Sequence, residues 1–371
     1  MKIGIMTFHF GYNYGAVMQT YALQQYLISC GYIVEIINYT PPNVKYRPYL
    51  SQLLSRNISV SKIFKTIKKI QYAPMQKEKF NLFKRKYLSL SKSYNYESLS
   101  SITTEFDAII VGSDQIWNPS QHKLGSYFLA HLDKFSGKRI SYAPCCAFNK
   151  VEDNNKPKLQ QALNKFNQIS VRNKETEKFV FELTGKTPPI VVDPTLLWDF
   201  KELMQDEPII SDNYVITYIL GKEITGGHKK VIKELRNKYA GIKIISVILT
   251  ENNPQLFDWS DKVFWSASPI EWINLFYYST FVYTDSFHGV LFAIKFQKPF
   301  LAYYTEMARA SRFIDLASRF RALEQFIVSS YDEAINRDSF VGKIDYDELE
   351  EKLEVEIEKS KAFLGASLKR S

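Results

Sequence analysis

Short apolar strands that alternate with helical stretches constrain the fold of this 371-residue chain more than any other feature. At its start, Lys2–Phe8 is predicted as a strand, Ala16–Cys30 as a helix that ends at Gly31, and Ile33–Asn38 as a second strand. Strands with apolar centres are typical of parallel sheets that are buried on both faces. This repeated strand–helix–strand pattern predicts a doubly wound α/β fold.

The alternation occurs in two series, which predicts two domains. Further strands are expected at Ala108–Val111, Arg139–Ala143, Ile169–Arg172 and Ile190–Val192, and then at Tyr214–Leu220, Lys243–Ile248, Val263–Trp265, Phe281–Thr284 and Phe300–Tyr303. The polar, acidic stretch Trp198–Asn213 is the natural linker between the series. We therefore predict two Rossmann-like domains, residues 1–200 and 201–345, that face each other across a cleft, and a charged C-terminal helix over residues 346–371.

Cysteine usage and the lack of long apolar runs exclude several classes of protein. No run of uncharged apolar residues is long enough to predict a membrane span. The three cysteines, Cys30, Cys145 and Cys146, fit neither a disulfide framework nor zinc spacing, and the adjacent pair is more typical of buried hydrophobes than of nucleophiles. We expect a cytoplasmic protein that requires no metal and no cofactor.

The positive charge of the chain is concentrated in one segment. The net charge is +9, but between residues 45 and 92 thirteen Lys or Arg side chains accompany a single acid, Glu78. Apolar residues with helical spacing, such as Ile63, Ile67 and Ile70, interleave with the charges. The segment is either a surface for anionic membranes or a solvated helical excursion without a partner. Nucleic acid is not expected, because no recognised binding module surrounds it.

The hexapeptide Thr284-Asp285-Ser286-Phe287-His288-Gly289 places a carboxylate, a hydroxyl and an imidazole where a predicted strand turns into a helix. Ligands of open parallel sheets bind at this edge, and a helix start offers backbone N–H groups to an anion. His288 is the candidate general acid–base, and Ser286 is a candidate substrate-binding residue. The alternative for His288 is a hydrogen-bonded structural histidine.

Several short motifs follow one another along the chain: Asn13-Tyr14-Gly15-Ala16-x-x-Gln19-x-Tyr21-Ala22-Leu23, Phe106-Asp107-x-Ile109-Ile110-Val111-Gly112-Ser113-Asp114-Gln115-x-Trp117-Asn118, Ser141-Tyr142-Ala143, Ile169-Ser170-Val171-Arg172, Val192-Asp193-Pro194-Thr195-Leu196-Leu197 and the hexapeptide. Each motif is weak by itself. In this order, they resemble the polysaccharide pyruvyl transferases, bacterial enzymes that attach pyruvate to sugars of cell-surface polymers such as capsule and exopolysaccharide.

The resemblance implies a GT-B-like fold, phosphoenolpyruvate as the donor, a cyclic pyruvate ketal as the product and release of phosphate. It implies a sugar acceptor, free or linked to polyprenyl diphosphate, on the side of the basic excursion 45–92, with the donor on the C-terminal domain. A lipid-linked acceptor would suit peripheral attachment to the inner face of the membrane. Two departures stand out: Phe287 occupies a position where many members carry Arg or Lys, and Pro144-Cys145-Cys146-Ala147 replaces Ala-Ser-Phe-Gly.

Three arginines are candidates for the two anionic groups of this donor. The resemblance favours Arg172, whose planar guanidinium suits a phosphate or a carboxylate; the alternative is a strand-end arginine that pairs with Glu175. Arg309 and Arg312 follow a predicted strand and could replace the missing basic neighbour of His288. For Arg312 the alternative is a solvated helix face.

Four further positions lie at predicted strand ends. Asp114 could orient a sugar hydroxyl, act as a base or cap a helix. Asn13 and Gly15 form a turn before a helix, and Gly15 permits close backbone approach to an anion or sugar. Asp193, before Pro194, is interpreted as the structural end of a strand.

Two other classes of function remain open. One is a nucleotide-sugar glycosyltransferase of the same architecture. Its retaining members often show two Glu residues seven positions apart, whereas Glu251, Glu271 and Glu306 are dispersed here, and inverting members remain possible. The other is a non-catalytic homologue that binds sugar or lipid.

Overall fold

The structure is a computed structural model, and it describes residues 1–41, 60–118, 125–146, 155–250 and 257–369. Residues 45–59 of the basic segment, Ala147 and Glu251 lie outside the described residues.

The first sheet consists of six parallel strands. They are β1 (Lys2–Met6), β2 (Ile33–Tyr39), β3 (Leu90–Tyr94), β4 (Ala108–Val111), β5 (Lys138–Ser141) and β6 (Gln168–Ile169). Their spatial order is β3-β2-β1-β4-β5-β6, which is the Rossmann order, and it reverses direction between β1 and β4.

The second sheet repeats this topology. Its strands are β7 (Tyr214–Tyr218), β8 (Lys243–Val247), β9 (Lys262–Phe264), β10 (Phe281–Thr284), β11 (Phe300–Tyr303) and β12 (Ile327–Val328). The order β12-β11-β10-β7-β8-β9 reverses between β7 and β10. The predicted α/β fold with two Rossmann-like sheets is thus confirmed. The domain boundaries at residues 200 and 345 stay a prediction.

Helices connect the strands. They are α1 (Tyr14–Ser29), α2 (Val60–Tyr87), α3 (Lys156–Leu163), α4 (Lys174–Thr184), α5 (His228–Lys238), α6 (Pro269–Tyr277), α7 (Phe287–Lys295), α8 (Met307–Arg319), α9 (Tyr331–Asn336) and α10 (Tyr346–Leu368). Strands β4, β10 and β11 have the predicted bounds. The predicted strand Ile190–Val192 is wrong: this segment is irregular and makes one isolated bridge, between Ile190 and Val171.

Helix α1 joins the two halves of the molecule. Asn13 caps it by accepting a hydrogen bond from the backbone N–H of Ala16 at 3.1 Å. The Tyr14 hydroxyl donates to the carbonyl of Ala267 at 2.8 Å, and the Tyr14 ring stacks on Trp272 in α6 with centroids 5.5 Å apart. The first turn of α1 is therefore fixed against the second sheet's helices.

Residues 60–87 of the basic segment form the 28-residue helix α2, which also contacts both halves. The side chain of Gln76 donates to the Tyr14 hydroxyl (2.9 Å) and the Ile248 carbonyl (2.8 Å), and it accepts from the Thr250 N–H (3.0 Å). We expected an excursion of the N-terminal domain; its buried face instead packs against both units. Within the described ranges, no helix is long and apolar enough to cross a bilayer.

The C-terminal helix α10 returns across the molecule. The Tyr346 hydroxyl, at its start, donates to the carbonyl of Lys298 after α7 at 2.6 Å. Further along, the Ser360 hydroxyl accepts the backbone N–H of Val192 at 2.9 Å. The helix thus connects the second sheet with the segment that precedes Asp193.

The three hydrogen bonds of Gln76 predict a cost for their removal. Gln76→Leu leaves the Ile248 carbonyl and the Thr250 N–H buried without their partner, so the free energy of unfolding should fall by about 2–3 kcal/mol. Urea denaturation measures this. The control is Gln71→Leu, the same change at an exposed position of α2, which should shift stability by less than about 0.5 kcal/mol. Equal effects of the two changes would contradict the assigned role.

Candidate functional site

Predicted site residues from both sheets converge in the cleft between them. We call each sheet together with its helices a unit. In the first unit, Asp114 follows β4, Cys145 follows β5 and Arg172 follows β6, so all three lie at the carboxyl edge of the first sheet. In the second unit, His288 lies in the first turn of α7, directly after β10, and Arg312 lies on α8, after β11. Asp114 is within electrostatic reach of the other three candidates, Arg172, His288 and Arg312.

The hexapeptide forms a strand–turn–helix because its small and polar residues satisfy the turn. Ser286 is the N-cap of α7, and its hydroxyl accepts the N–H of Gly289 at 3.3 Å. A Cβ at Gly289 would lie 2.6 Å from the Thr284 hydroxyl oxygen, so only glycine lets the helix start this close to the strand. Ser286, predicted to bind substrate, is thus engaged in capping.

Asp285 uses its carboxylate inside the second unit. Its oxygens accept the backbone N–H groups of Leu220 and Gly221, each at 2.6 Å, and the guanidinium of Arg309 at 3.1 Å. Arg309 therefore closes a strand-end loop; its role in donor binding stays a prediction.

Arg172 is the centre of a buried network. Its Nη1 donates to Oδ2 of Asp193 at 2.6 Å, and its Nη2 lies 3.2 Å from Oδ1 of Asp114 and 2.8 Å from Sγ of Cys145. Burial by itself would lower the pKa of Arg172, but Cys145 and the two carboxylates raise it. Arg172 is a permanent cation whose charge is compensated within the protein. The alternative pairing with Glu175 is not found.

Asp193 is the residue that the sequence interpretation underestimated. Besides the bond from Arg172, its Oδ2 lies 3.5 Å from Nε2 of His288, and its Oδ1 accepts the N–H and the hydroxyl of Thr195 at 3.0 and 2.8 Å. Burial by itself would raise the pKa of Asp193, yet His288 and Arg172 hold it well below its ordinary value. The Asp193 carboxylate thus connects an arginine of one unit with the histidine of the other. The sequence feature that could have identified Asp193 as a site residue is the motif Val192-Asp193-Pro194-Thr195-Leu196-Leu197.

Gly15 lies against the imidazole of His288. A Cβ at Gly15 would come within 2.3 Å of Cγ and Nδ1 of that ring, so no other residue fits without displacing it. We expected Gly15 to permit close approach of a ligand; the group that approaches it here is His288. When His288 is protonated, its contact with Asp193 becomes an ion pair. The ring is thus held between the start of α1 and a buried carboxylate.

Arg312 differs from Arg172 in having no carboxylate partner. Among the residues that the structure describes, none forms an ion pair with it, and burial lowers its pKa. Phe287 lies between the two arginines: its ring centroid is 4.9 Å from Cζ of Arg172 and 5.5 Å from Cζ of Arg312. Both guanidinium groups interact favourably with the ring. Phe287, Arg172, Asp193, Arg312 and Arg319 line the same pocket.

Asp114 faces this cluster. Its backbone is left-handed, with φ of 74°, and its side chain is 15% exposed. Burial opposes ionisation, but Arg172, His288 and Arg312 lower the pKa of Asp114. No helix begins in residues 115–118, so its carboxylate does not cap one there. Asp114 is an ionised acceptor at the rim of the cluster.

The two adjacent cysteines are buried, as predicted. Burial raises the pKa of Cys145, although Arg172 opposes this, and burial raises the pKa of Cys146 to about 12. Such thiols are poor nucleophiles near neutral pH. In the described part of the chain, no group of three or more His, Cys, Asp or Glu side chains could hold a metal ion.

Comparison with solved structures identifies the architecture. UGT89C1 from Arabidopsis thaliana, complexed with UDP-L-rhamnose, is similar with a TM-score of 0.50 and 12% sequence identity, over 97% of this chain and 94% of that chain. The UDP-GlcNAc 2-epimerase from Methanocaldococcus jannaschii is similar with a TM-score of 0.47 and 12% identity, over 96% and 93%. At this identity the likeness concerns the fold alone. The chain is an α/β protein of the GT-B type.

The sequence identifies the family. Residues 13–306 match the polysaccharide pyruvyl transferase family, so the chain belongs to it and is a transferase. The resemblance drawn from the motifs is confirmed. A comparison with curated protein sequences gives no match.

The contact between Gly15 and His288 predicts a steric penalty. Gly15→Ala should lower the free energy of unfolding by about 1–3 kcal/mol, because the new methyl group forces the imidazole to move. Gly11→Ala is the matched control in the preceding loop, where a Cβ meets nothing within 4 Å. Denaturant midpoints and the imidazole NMR signals of the two variants check this. Unchanged His288 signals in Gly15→Ala would contradict the packing.

The depressed pKa of Asp193 predicts a pH-dependent stability difference. At neutral pH, Asp193→Asn should cost about 3 kcal/mol, because Arg172 is left buried without its closest partner. The folded pKa lies below the ordinary 3.8, so this stability is present above pH 3.8 and is lost as the pH falls further.

Urea midpoints of the wild type and of Asp193→Asn at pH 7 and about pH 3 measure this difference, which should be about 1 kcal/mol smaller at the lower pH. Asp133→Asn, at an exposed ion pair, is the control and should have little effect. A difference that does not change with pH would refute the assignment.

Proposed function

We propose that the enzyme transfers the carboxyvinyl carbon unit of phosphoenolpyruvate onto a sugar of a surface polysaccharide, or of its lipid-linked precursor, to form a cyclic pyruvate ketal. Family membership supports pyruvyl transfer. The observation that supports phosphoenolpyruvate as the donor is the guanidinium of Arg312, which forms no ion pair among the described residues and lies beside the His288–Asp193–Arg172 cluster. A small dianion with an adjacent carboxylate needs fixed cations next to a proton donor.

Arg312 is the better candidate for direct contact with the donor. Arg172 already has two carboxylate partners, so an anion that binds it must compete with Asp193 and Asp114. Arg312 is half-buried, its Nε has no hydrogen-bond partner, and it forms no ion pair with a carboxylate among the described residues. An incoming phosphate or carboxylate would supply one. Arg172 then holds Asp193 in place, and its positive charge, on the Phe287 ring, adds to the electrostatic attraction for the anionic donor.

His288 acts as the general acid in the first step. An acceptor hydroxyl attacks C2 of phosphoenolpyruvate, while the imidazolium delivers a proton to C3, so the vinyl group becomes a methyl group. The hydroxyl proton leaves to a base. The buried carboxylate of Asp193 is positioned to pair with the imidazolium before the transfer.

The second step closes the ring. A second hydroxyl of the same sugar attacks C2, the C–O bond to phosphate breaks, and phosphate leaves with the bonding electron pair. The proton of this hydroxyl passes to the leaving phosphate. Arg312 stabilises the charge on the leaving group. Asp114 accepts a hydrogen bond from a sugar hydroxyl and orients it. Because its pKa is lowered, Asp114 is a weak base, and its role is to orient the hydroxyl and not to deprotonate it. No cofactor takes part in this scheme.

A donor screen separates this proposal from a nucleotide-sugar glycosyltransferase. Phosphoenolpyruvate should raise the thermal unfolding midpoint of the protein, because a ligand that binds only the folded state stabilises it. UDP-, GDP- and CMP-sugars should cause no shift. A shift with a nucleotide sugar alone would sink the ketal mechanism.

Two substitutions separate binding from chemistry. Arg312→Gln should abolish the phosphoenolpyruvate-induced shift and lower kcat/KM for phosphate release by about 10²–10³-fold. His288→Gln should retain the shift and lower kcat by about 10²–10⁴-fold. The control is Arg236→Gln, an exposed arginine paired with Asp261 outside the cleft, which should change neither. Full turnover in His288→Gln would remove the assigned acid.

A further inference from the structure

Helix α2 carries apolar residues on the side that faces away from the protein as well as on its buried side. The buried residues Ala73, Gln76, Phe80 and Phe83 contact the rest of the molecule. The opposite side carries apolar side chains that are 40 to 53% exposed: Ile63, Phe64, Ile67, Ile70, Met75 and Leu82. An ordinary surface helix shows polar residues there. We call these six side chains the outer face of α2.

Basic residues flank the outer face. From residue 63 to residue 87 the helix carries eight Lys or Arg side chains and one acid, Glu78. Two of the eight face the protein: Lys84 is buried and donates to the Phe10 carbonyl, and Lys79 pairs with Glu271. A helix with an apolar strip and basic flanks is typical of helices that lie in the plane of an anionic membrane surface. The charge disfavours a second copy of the chain as the occupant, because two such helices repel each other.

Aromatic rings surround one of these lysines. Nζ of Lys68 lies 5.2 Å from the ring centroid of Phe64, 5.3 Å from that of Tyr72 and 5.6 Å from that of Trp265. Tyr72 and Trp265 are stacked with centroids 6.0 Å apart. Trp, Tyr and Lys are the residue types that prefer the headgroup level of a bilayer. Trp265 follows β9, so the second unit contributes to the same surface.

We propose that the outer face of α2 docks the enzyme on an anionic lipid surface. The isoleucines and Phe64 enter the boundary between headgroups and acyl chains, Lys68 contacts lipid phosphates, and Trp265 lies at headgroup level. The helix crosses no bilayer.

The buried side of α2 places the site close to this surface. Gln76 is bonded to Tyr14, and the next residue, Gly15, contacts His288. Docking therefore brings the start of α1 near the membrane, where a lipid-linked sugar resides. This last step rests on the proposed function, whereas docking itself does not.

Vesicle cosedimentation without donor or acceptor tests the docking. The wild type should bind vesicles that contain phosphatidylglycerol, bind vesicles of phosphatidylcholine alone much more weakly, and lose affinity as salt rises. The double variant Ile67→Glu with Ile70→Glu should lower the partition coefficient by at least about tenfold. The matched control is Ile335→Glu with Val355→Glu, which makes the same change at two exposed apolar positions elsewhere. All four positions are exposed, so thermal midpoints should stay unchanged.

Three outcomes would overturn the proposal: equal binding to both kinds of vesicle, equal loss in the control variant, or a concentration-dependent dimer that only the α2 variant disrupts. The third would assign the outer face to a second copy. Phosphate release from phosphoenolpyruvate with a soluble sugar acceptor is measured separately, so failure of docking and failure of the proposed reaction are distinguishable.

Discussion

The buried ion pair between Arg172 and Asp193, with atoms 2.6 Å apart, is the interaction on which the rest of the site depends. Each charge would cost several kcal/mol to bury alone. Together they satisfy most of their hydrogen-bonding capacity with Asp114, Cys145 and Thr195. Because Oδ2 of Asp193 points toward both Arg172 and His288, the pair also fixes where an imidazole from the other unit can dock. Removal of either partner therefore disturbs the fold and the chemistry together.

Much of the fold could be predicted from the sequence, because strands such as β4 and β11 are wholly buried and consist of apolar and aromatic residues. Strand β3 gave no such signal: it is a sheet edge, and among Leu90–Tyr94 only Tyr94 is buried. The predicted strand Ile190–Val192 failed for the opposite reason. Val191 and Val192 are buried against neighbouring structure without joining the ladder, since only Ile190 forms a bridge.

The sequence was sufficient to predict which positions form the candidate site, but not which of their side chains contact one another. Strand ends and helix starts pointed to Asp114, Arg172, His288 and Arg312. The sequence could not show that Asp193 takes the charge of Arg172, because that depends on how two irregular loops pack. Nor could it show that Gly15 makes room for the imidazole of His288. These contacts join segments that are distant in the sequence, and no local pattern records them.

His288 and Asp193 belong to different sheet units, and their contact of 3.5 Å crosses the cleft. A rotation of one unit away from the other would separate the imidazole from its carboxylate and from Gly15 at the same time. In the open molecule, Arg172 and Asp193 would remain paired with each other, and His288 would be exposed to solvent on the other side of the cleft. The acid would be assembled only on closure, so that a proton is offered to the donor only when water has left the cleft.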